Sequence, residues 1–224
     1  MSTLDILQEE WSMCERCDLC RSRNNVVFGE GSQDADLLII GEAPGRHEDE
    51  SGRPFIGDSG EVMDGFLSTL KVHRHYDTYI TNVVGCRATS TAEDENGDIL
   101  VEDRSPSKVE RESCSERLRQ IIYHVDPLLI IAAGKTAAAA LLGRVSTMQK
   151  MRGETFKMVL EGKHVQINYA VMVVYHPAYL LRNPNRAVGG PWEKTFGDLK
   201  RAVEIVRHLQ VRYGKEPIGE IDVE

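Results

Sequence analysis

The sequence predicts an α/β protein in which helices cover both faces of a central, mainly parallel four-stranded sheet. Three observations carry this. Short apolar runs alternate with segments of helical periodicity, as in chains built from βαβ units. The apolar runs are continuous rather than alternating, as expected of strands buried on both faces. The polar motifs fall at the ends of those runs, where open parallel sheets place their ligands.

The first core strand is "DLLIIG" (36–41), closed by a glycine turn. "GEVMDGFLSTL" (60–70) comes next, with Val62, Met63, Phe66, Leu67 and Leu70 on one helical face. "TYITNVVG" (78–85) is the second strand, and "SKVERESCSERLRQIIYHV" (107–125) a helix entered through Ser-Pro-Ser. "PLLIIAAG" (127–134) is the third strand and "KTAAAALLG" a short helix after it. "HVQINYAVMVVYHP" reads as a hairpin or edge piece running into the fourth core strand. An amphipathic helix, "EKTFGDLKRAVEIVRHLQVRY" (193–213), comes last. Residues 88–106 lack a core pattern and read as an acidic surface insertion polar enough to be disordered. At 224 residues, the chain 1–224 is expected to form one domain.

No stretch is long and apolar enough to span a membrane, and "MSTLDILQEEW" lacks the basic start of a secretory signal. A cytoplasmic monomer without membrane association is the expectation. The net charge of −8 argues against nucleic acid only if it is spread evenly, and it is segregated. Residues 93–112 hold eight acids against three bases, which is −5 of the total. Residues 179–201 reverse the balance, with Arg182, Arg186, Lys194, Lys200 and Arg201 against Glu193 and Asp198. A basic face beside an acidic insertion is compatible with DNA.

Five cysteines occur, at 14, 17, 20, 86 and 114. "CERCDLC" contains two overlapping C-x-x-C units, a spacing that reads as metal ligands in a cytosolic chain. Two distant cysteines can complete four. A thiolate site suits tetrahedral zinc or an iron–sulfur cluster, and spacing does not choose between them or among the five thiols.

"GEAPGRHEDESGRPFIGDSG", "TNVVGC" and "HPAYLLRNP", preceded by C-x-x-C, occur in the order found in the family 4 uracil-DNA glycosylases, which this chain resembles from Cys14 to about Leu199. The resemblance implies a three-layer α/β/α sandwich (the uracil-DNA glycosylase-like fold) and a structural [4Fe-4S] cluster rather than zinc. By position, Cys14, Cys17, Cys86 and Cys114 would hold it, leaving Cys20 spare. The chain departs from the family at "GCRATS", which replaces a lysine before the third cysteine and a proline-rich segment after it.

The resemblance also implies a repair hydrolase that removes uracil from single- or double-stranded DNA and leaves an abasic site. A base must leave the stack to be excised, so the site needs a stacking surface, an edge reader, a donor for the departing anion and a placed water. Phe55 is the stacking candidate, and Asn82 the reader of the uracil edge. His176, at the end of the last core strand, is the donor, and Glu42 is expected to position the water. Glu48 and Asp49 are second carboxylate candidates for that role, Glu48 being the one placed at the substrate. Gly41 and Gly45 let the backbone approach closely. Tyr179, Leu180 and Leu181 are candidate wedges into DNA, with Arg182 and Arg186 at phosphates. No lysine stands in these motifs as a Schiff-base nucleophile, so strand cleavage is not expected. Rival readings are a catalytically weak DNA-binding or polymerase-accessory module, and a glycosylase for another modified pyrimidine. A replication or repair protein is a candidate partner.

Overall fold

The computed structural model describes residues 2–143, 145–161 and 166–219. Helix α1 (Thr3–Ser12) begins at Ser2, whose hydroxyl accepts from the Asp5 N–H while the Asp5 carboxylate accepts from the Ser2 N–H. A single 3-10 turn (Asp18–Arg21) and a short strand β1 (Glu30–Gly31) lead into β2 (Leu37–Gly41). Next come α2 (Arg46–Ser51), α3 (Asp58–Thr69) and β3 (Thr78–Asn82). Strands β4 (Thr89–Glu93) and β5 (Ile99–Asp103) precede α4 (Lys108–Val125). The chain continues through β6 (Leu129–Ala133), α5 (Lys135–Leu142), α6 (Met148–Met151), β7 (Thr155–Glu161) and β8 (Gln166–Val174). It ends in α7 (Pro177–Arg182) and α8 (Pro191–Arg212).

The main sheet has six strands in the order β1-β3-β2-β6-β8-β7. Its four central strands are parallel, as the apolar runs predict, and β1 and β7 add antiparallel edges. The two edge strands lack a clear sequence signal for different reasons. The two-residue β1 has no pattern of its own. β7 (TFKMVLE) lies before the segment read as a hairpin or edge piece. The described part of that segment forms one continuous strand, β8, which pairs antiparallel with β7; the connecting residues 162–165 lie outside those described.

The pleat sorts successive residues to opposite faces. Leu38 and Ile40 pack with Ile121 and Ile122 of α4 and Ala137 and Ala138 of α5. Leu37 and Ile39 pack with Met63 and Leu67 of α3 and Leu199, Val203 and Val206 of α8. The result is an α/β/α sandwich with a core on each side of the sheet. Among the described residues, no helix is long and apolar enough to cross a membrane.

From β2 the chain steps to β3 on one side, then crosses to β6 on the other. A ligand crevice forms where strand order reverses in this way, at the carboxyl ends of β2 and β6.

The acidic insertion is an ordered hairpin rather than a disordered loop. β4 and β5 pair antiparallel from Thr89↔Asp103 to Glu93↔Ile99, forming a two-stranded sheet apart from the main one. Its strand residues are exposed apart from the half-buried Thr89, so no core periodicity marks it in the sequence.

The hairpin returns to the body through Arg104, whose guanidinium grips Glu110 with Nη1–Oε2 at 2.8 Å and Nη2–Oε1 at 2.6 Å. Glu110 also closes a capping box with Ser107 at the start of α4. Arg104 first, then the Ser107 N–H and hydroxyl, hold the Glu110 carboxyl down at about 2 despite the opposing effect of its burial. A depressed carboxylate pKa stabilises the fold above the ordinary range near 4.5, and that contribution is lost as pH falls toward 2. Glu110→Gln should therefore cost about 2–3 kcal/mol near neutral pH and almost nothing near pH 2. Urea unfolding of both chains across that range checks it.

Candidate active site

Parallel pairing in register sets Gly41 of β2 beside Asn82 of β3. A side chain at Gly41 would place its Cβ 2.3 Å from Asn82 Oδ1 and 2.6 Å from the Phe55 ring. Glycine is required here for space: its missing side chain keeps open a slot between an amide and an aromatic face. The Asn82 side chain makes no hydrogen bond among the described residues, yet no buried side-chain nitrogen or oxygen there is both sealed from solvent and unpartnered. The amide is held at the slot with its hydrogen-bonding capacity unused.

Phe55 is buried and has φ of +51°, a left-handed conformation that non-glycine residues adopt at a cost. The surrounding groups hold it there. Arg74 donates through Nη1 to the Phe55 carbonyl at 2.9 Å and through Nη2 to the Pro54 carbonyl. Glu48 accepts from the N–H groups of Ile56 at 3.2 Å and Gly57 at 3.1 Å, and from Gly45 at 3.0 Å. Its carboxylate thus ties the "GEAPG" loop to the Phe55 turn. The sequence places Glu48 at the substrate; in the structure it lines the cavity while its oxygens are engaged with backbone donors. Arg74 is not legible in the sequence, where "HRHYD" gives no signal of a guanidinium reaching back nearly twenty residues.

His176 caps α7, and its Nδ1 accepts from the Ala178 N–H at 3.1 Å. That bond leaves the proton of the neutral ring on Nε2, which is then a donor. Burial pushes the imidazole pKa below its ordinary value, against an upward pull from the Glu42 carboxylate. The ring centroid lies 5.9 Å from that of Phe55. Gly134, at the end of β6, has φ of +93°, and a Cβ there would sit 3.0 Å from His176 Cβ.

These groups line one cavity of about 540 Å³. Glu42, Phe55, Asn82 and His176 line it together with Leu181 and Arg182 and with Asp103, Arg104 and Ser105. The last three come from the hairpin's root, a contribution no sequence motif announces. On α7, Tyr179 and Leu181 are 36% and 41% exposed. Leu180 is 0% exposed, which corrects its place among the DNA wedges: the short helix turns it into the core. Arg182 is exposed, and Arg186 lies over the Trp192 ring at 4.4 Å.

Cys14, Cys17, Cys86 and Cys114 line a second, small cavity with Leu19, Val84 and Gly85, and Cys20 is not among its lining residues. Burial pushes the Cys86 thiol up to about 11 and raises Cys17 as well. Three donors nevertheless point at sulfur: Gly85 N–H to Cys114 Sγ at 3.4 Å, Arg117 Nε to Cys114 Sγ at 3.3 Å, and Arg23 Nη1 to Cys86 Sγ at 3.8 Å. Such donors suit thiolates whose charge a metal centre shares. Among the described residues, no three His, Cys, Asp or Glu side chains form a site for a single ion.

Residues 28–203 match the family profile described as the uracil DNA glycosylase superfamily. A "Type-4 uracil-DNA glycosylase" of Pyrobaculum aerophilum is 36% identical over 85% of this chain and 90% of its own length. Proteins of the same name from Thermotoga maritima and Archaeoglobus fulgidus are 34% and 31% identical, over 80% and 82% of this chain and 84% and 86% of theirs. The chain belongs to the type-4 uracil-DNA glycosylases. Within this type-4 chain, β2, β3 and β8 end at Gly41, Asn82 and Val174, so the three polar motifs meet on one sheet edge.

Proposed function

We propose that this protein hydrolyses the N-glycosidic bond of uracil in DNA and leaves an abasic site. The observation that carries the reading is the slot at Gly41, where an uncommitted amide, an aromatic ring and a neutral imidazole donor line one cavity. A uracil flipped from the stack lies against Phe55. Its N3–H and a neighbouring carbonyl meet the oxygen and nitrogen of the Asn82 amide. Cytosine presents the reversed donor and acceptor pattern on that edge.

As the bond to the sugar lengthens, negative charge gathers on the base and positive charge on the sugar. The His176 Nε2–H stabilises the base anion as a neutral donor, with no proton transfer needed. The Glu42 carboxylate makes no side-chain hydrogen bond among the described residues, which leaves it free to orient water and favour the sugar cation. Glu48 and Arg74 act as positioning residues through the Phe55 turn. Tyr179 and Leu181 fill the vacated stack, and Arg182 and Arg186 meet phosphates.

Incubation with uracil-containing single- and double-stranded oligonucleotides, followed by alkali, tests the reading. Breaks at uracil alone are expected. Their absence at high protein excess would favour a DNA-binding module. Asn82→Ala should lower single-turnover excision by about one to two orders of magnitude, through hydrogen bonds lost at the base edge. Thermal unfolding should remain close to that of the unaltered chain.

The cysteine cavity is read as the seat of a [4Fe-4S] cluster held by Cys14, Cys17, Cys86 and Cys114. When bound, the group supplies metal–thiolate bonds that brace the segment after α1 to β3 and α4. The four thiols on one cavity and the N–H donors aimed at sulfur support this reading.

A further inference from the structure

Arg117, on α4, is 0% exposed and among the largest fully buried side chains. It has no carboxylate within ion-pair distance among the described residues, so the usual compensation for a buried cation is missing. Its donors serve other groups. Nε reaches Cys114 Sγ at 3.3 Å. Nη1 reaches the Phe28 carbonyl at 2.7 Å and Thr81 Oγ1 at 3.1 Å. Nη2 reaches the Asn82 carbonyl and, at 3.3 Å, the Val83 carbonyl.

One rigid fork therefore touches a sulfur of the cysteine cavity on one side and the backbone of the base-reading residue on the other. We propose that Arg117 is a positioning residue that uses the anionic metal–thiolate centre as its counter-charge and thereby fixes the end of β3 carrying Asn82. Carbonyl dipoles alone leave the cation undercompensated; a thiolate sulfur shared with a metal centre supplies the missing negative charge. The planar guanidinium makes both sets of bonds at once, which a lysine ammonium cannot reproduce. The cysteine cavity then contributes to the aim of the Asn82 amide as well as to stability. This role for Arg117 rests on the glycosylase and cluster readings above.

The test compares the iron-loaded chain with R117M and R117K by iron content, reduction potential of the bound centre, and single-turnover excision of uracil from a single-stranded oligonucleotide. R117M should keep its iron but shift the potential to more negative values, because a cation beside the centre favours the added electron. Its excision rate at saturating DNA should fall about tenfold to a hundredfold, the scale of a small misplacement in an active site. Its half-saturating DNA concentration should stay unchanged. R117K should hold the potential near that of the unaltered chain yet recover little excision, separating charge from fork geometry. If R117M does not accumulate folded, the R117K comparison decides alone.

Unaltered excision or unaltered potential in R117M overturns the proposal, as does wild-type excision in R117K. An unaltered chain that binds no iron overturns it too, while uracil excision would leave the glycosylase reading standing. If the unaltered chain excises nothing, that reading fails, and the positioning of Asn82 fails with it.

Discussion

Replacing His176 with alanine should lower uracil excision at saturating DNA by about 10²–10³, the usual cost of removing one preorganised donor from a site where charge develops. The Ala178 N–H fixes the tautomer and burial depresses the pKa, so the neutral ring is the form expected to act. That sets the sign of the pH dependence. Protonation belongs below the ordinary histidine range, so the rate should hold as pH falls through 6.5 and drop only at lower pH. DNA affinity should barely move in H176A. It should instead weaken and lose salt dependence when Arg182 and Arg186 are replaced, since phosphate contacts release counterions. Single-turnover rates and binding titrations on the two sets of variants separate these roles. An H176A chain that binds DNA poorly but excises normally once saturated would make His176 a positioning residue.

Cys86→Ser should have the largest effect on the folded protein. Cys86 lies just beyond β3, Cys114 within α4, and Cys14 and Cys17 after α1, so one metal centre would close loops of about seventy and about thirty residues. Binding energy at such a centre is folding energy. The unaltered protein should be yellow-brown and contain iron. C86S should lose the colour and most of its soluble yield, whereas Cys20→Ser should keep both. Colourless, zinc-loaded protein from an anaerobic preparation would overturn the cluster assignment.

The parts of the fold that a sequence can declare are those governed by local periodicity. The runs at β2 and β6 are apolar throughout, and β3 and the second half of β8 are largely so, because helices cover both faces, and they are legible as strands. Edge strand β1 has too few residues to show a period, and the β4–β5 hairpin has almost no buried face to impose one. The site divides similarly. Asn82 and His176 stand at strand ends within motifs, so their positions can be inferred. Arg74, Arg104 and Arg117 act across gaps of 19, 6 and 35 residues, on the Phe55 carbonyl, Glu110 and the Asn82 carbonyl. Nothing in a linear pattern marks where a long guanidinium will end. Leu180 shows the opposite limit: its motif suggests DNA, and the turn of α7 directs it inward.

The hairpin has a colloidal consequence. Its strand β5 exposes Ile99, Leu100 and Val101 in succession, at 73%, 47% and 52%, on a sheet of only two strands. Bare strand edges carrying apolar residues are templates for pairing with another copy. Glu93, Asp94, Glu95, Asp98 and Glu102 surround them, and none forms an ion pair among the described residues. These carboxylates act as gatekeepers, keeping neighbouring molecules apart by mutual repulsion where burial does not protect the edge. That protection weakens in concentrated salt, so storage at low ionic strength preserves it.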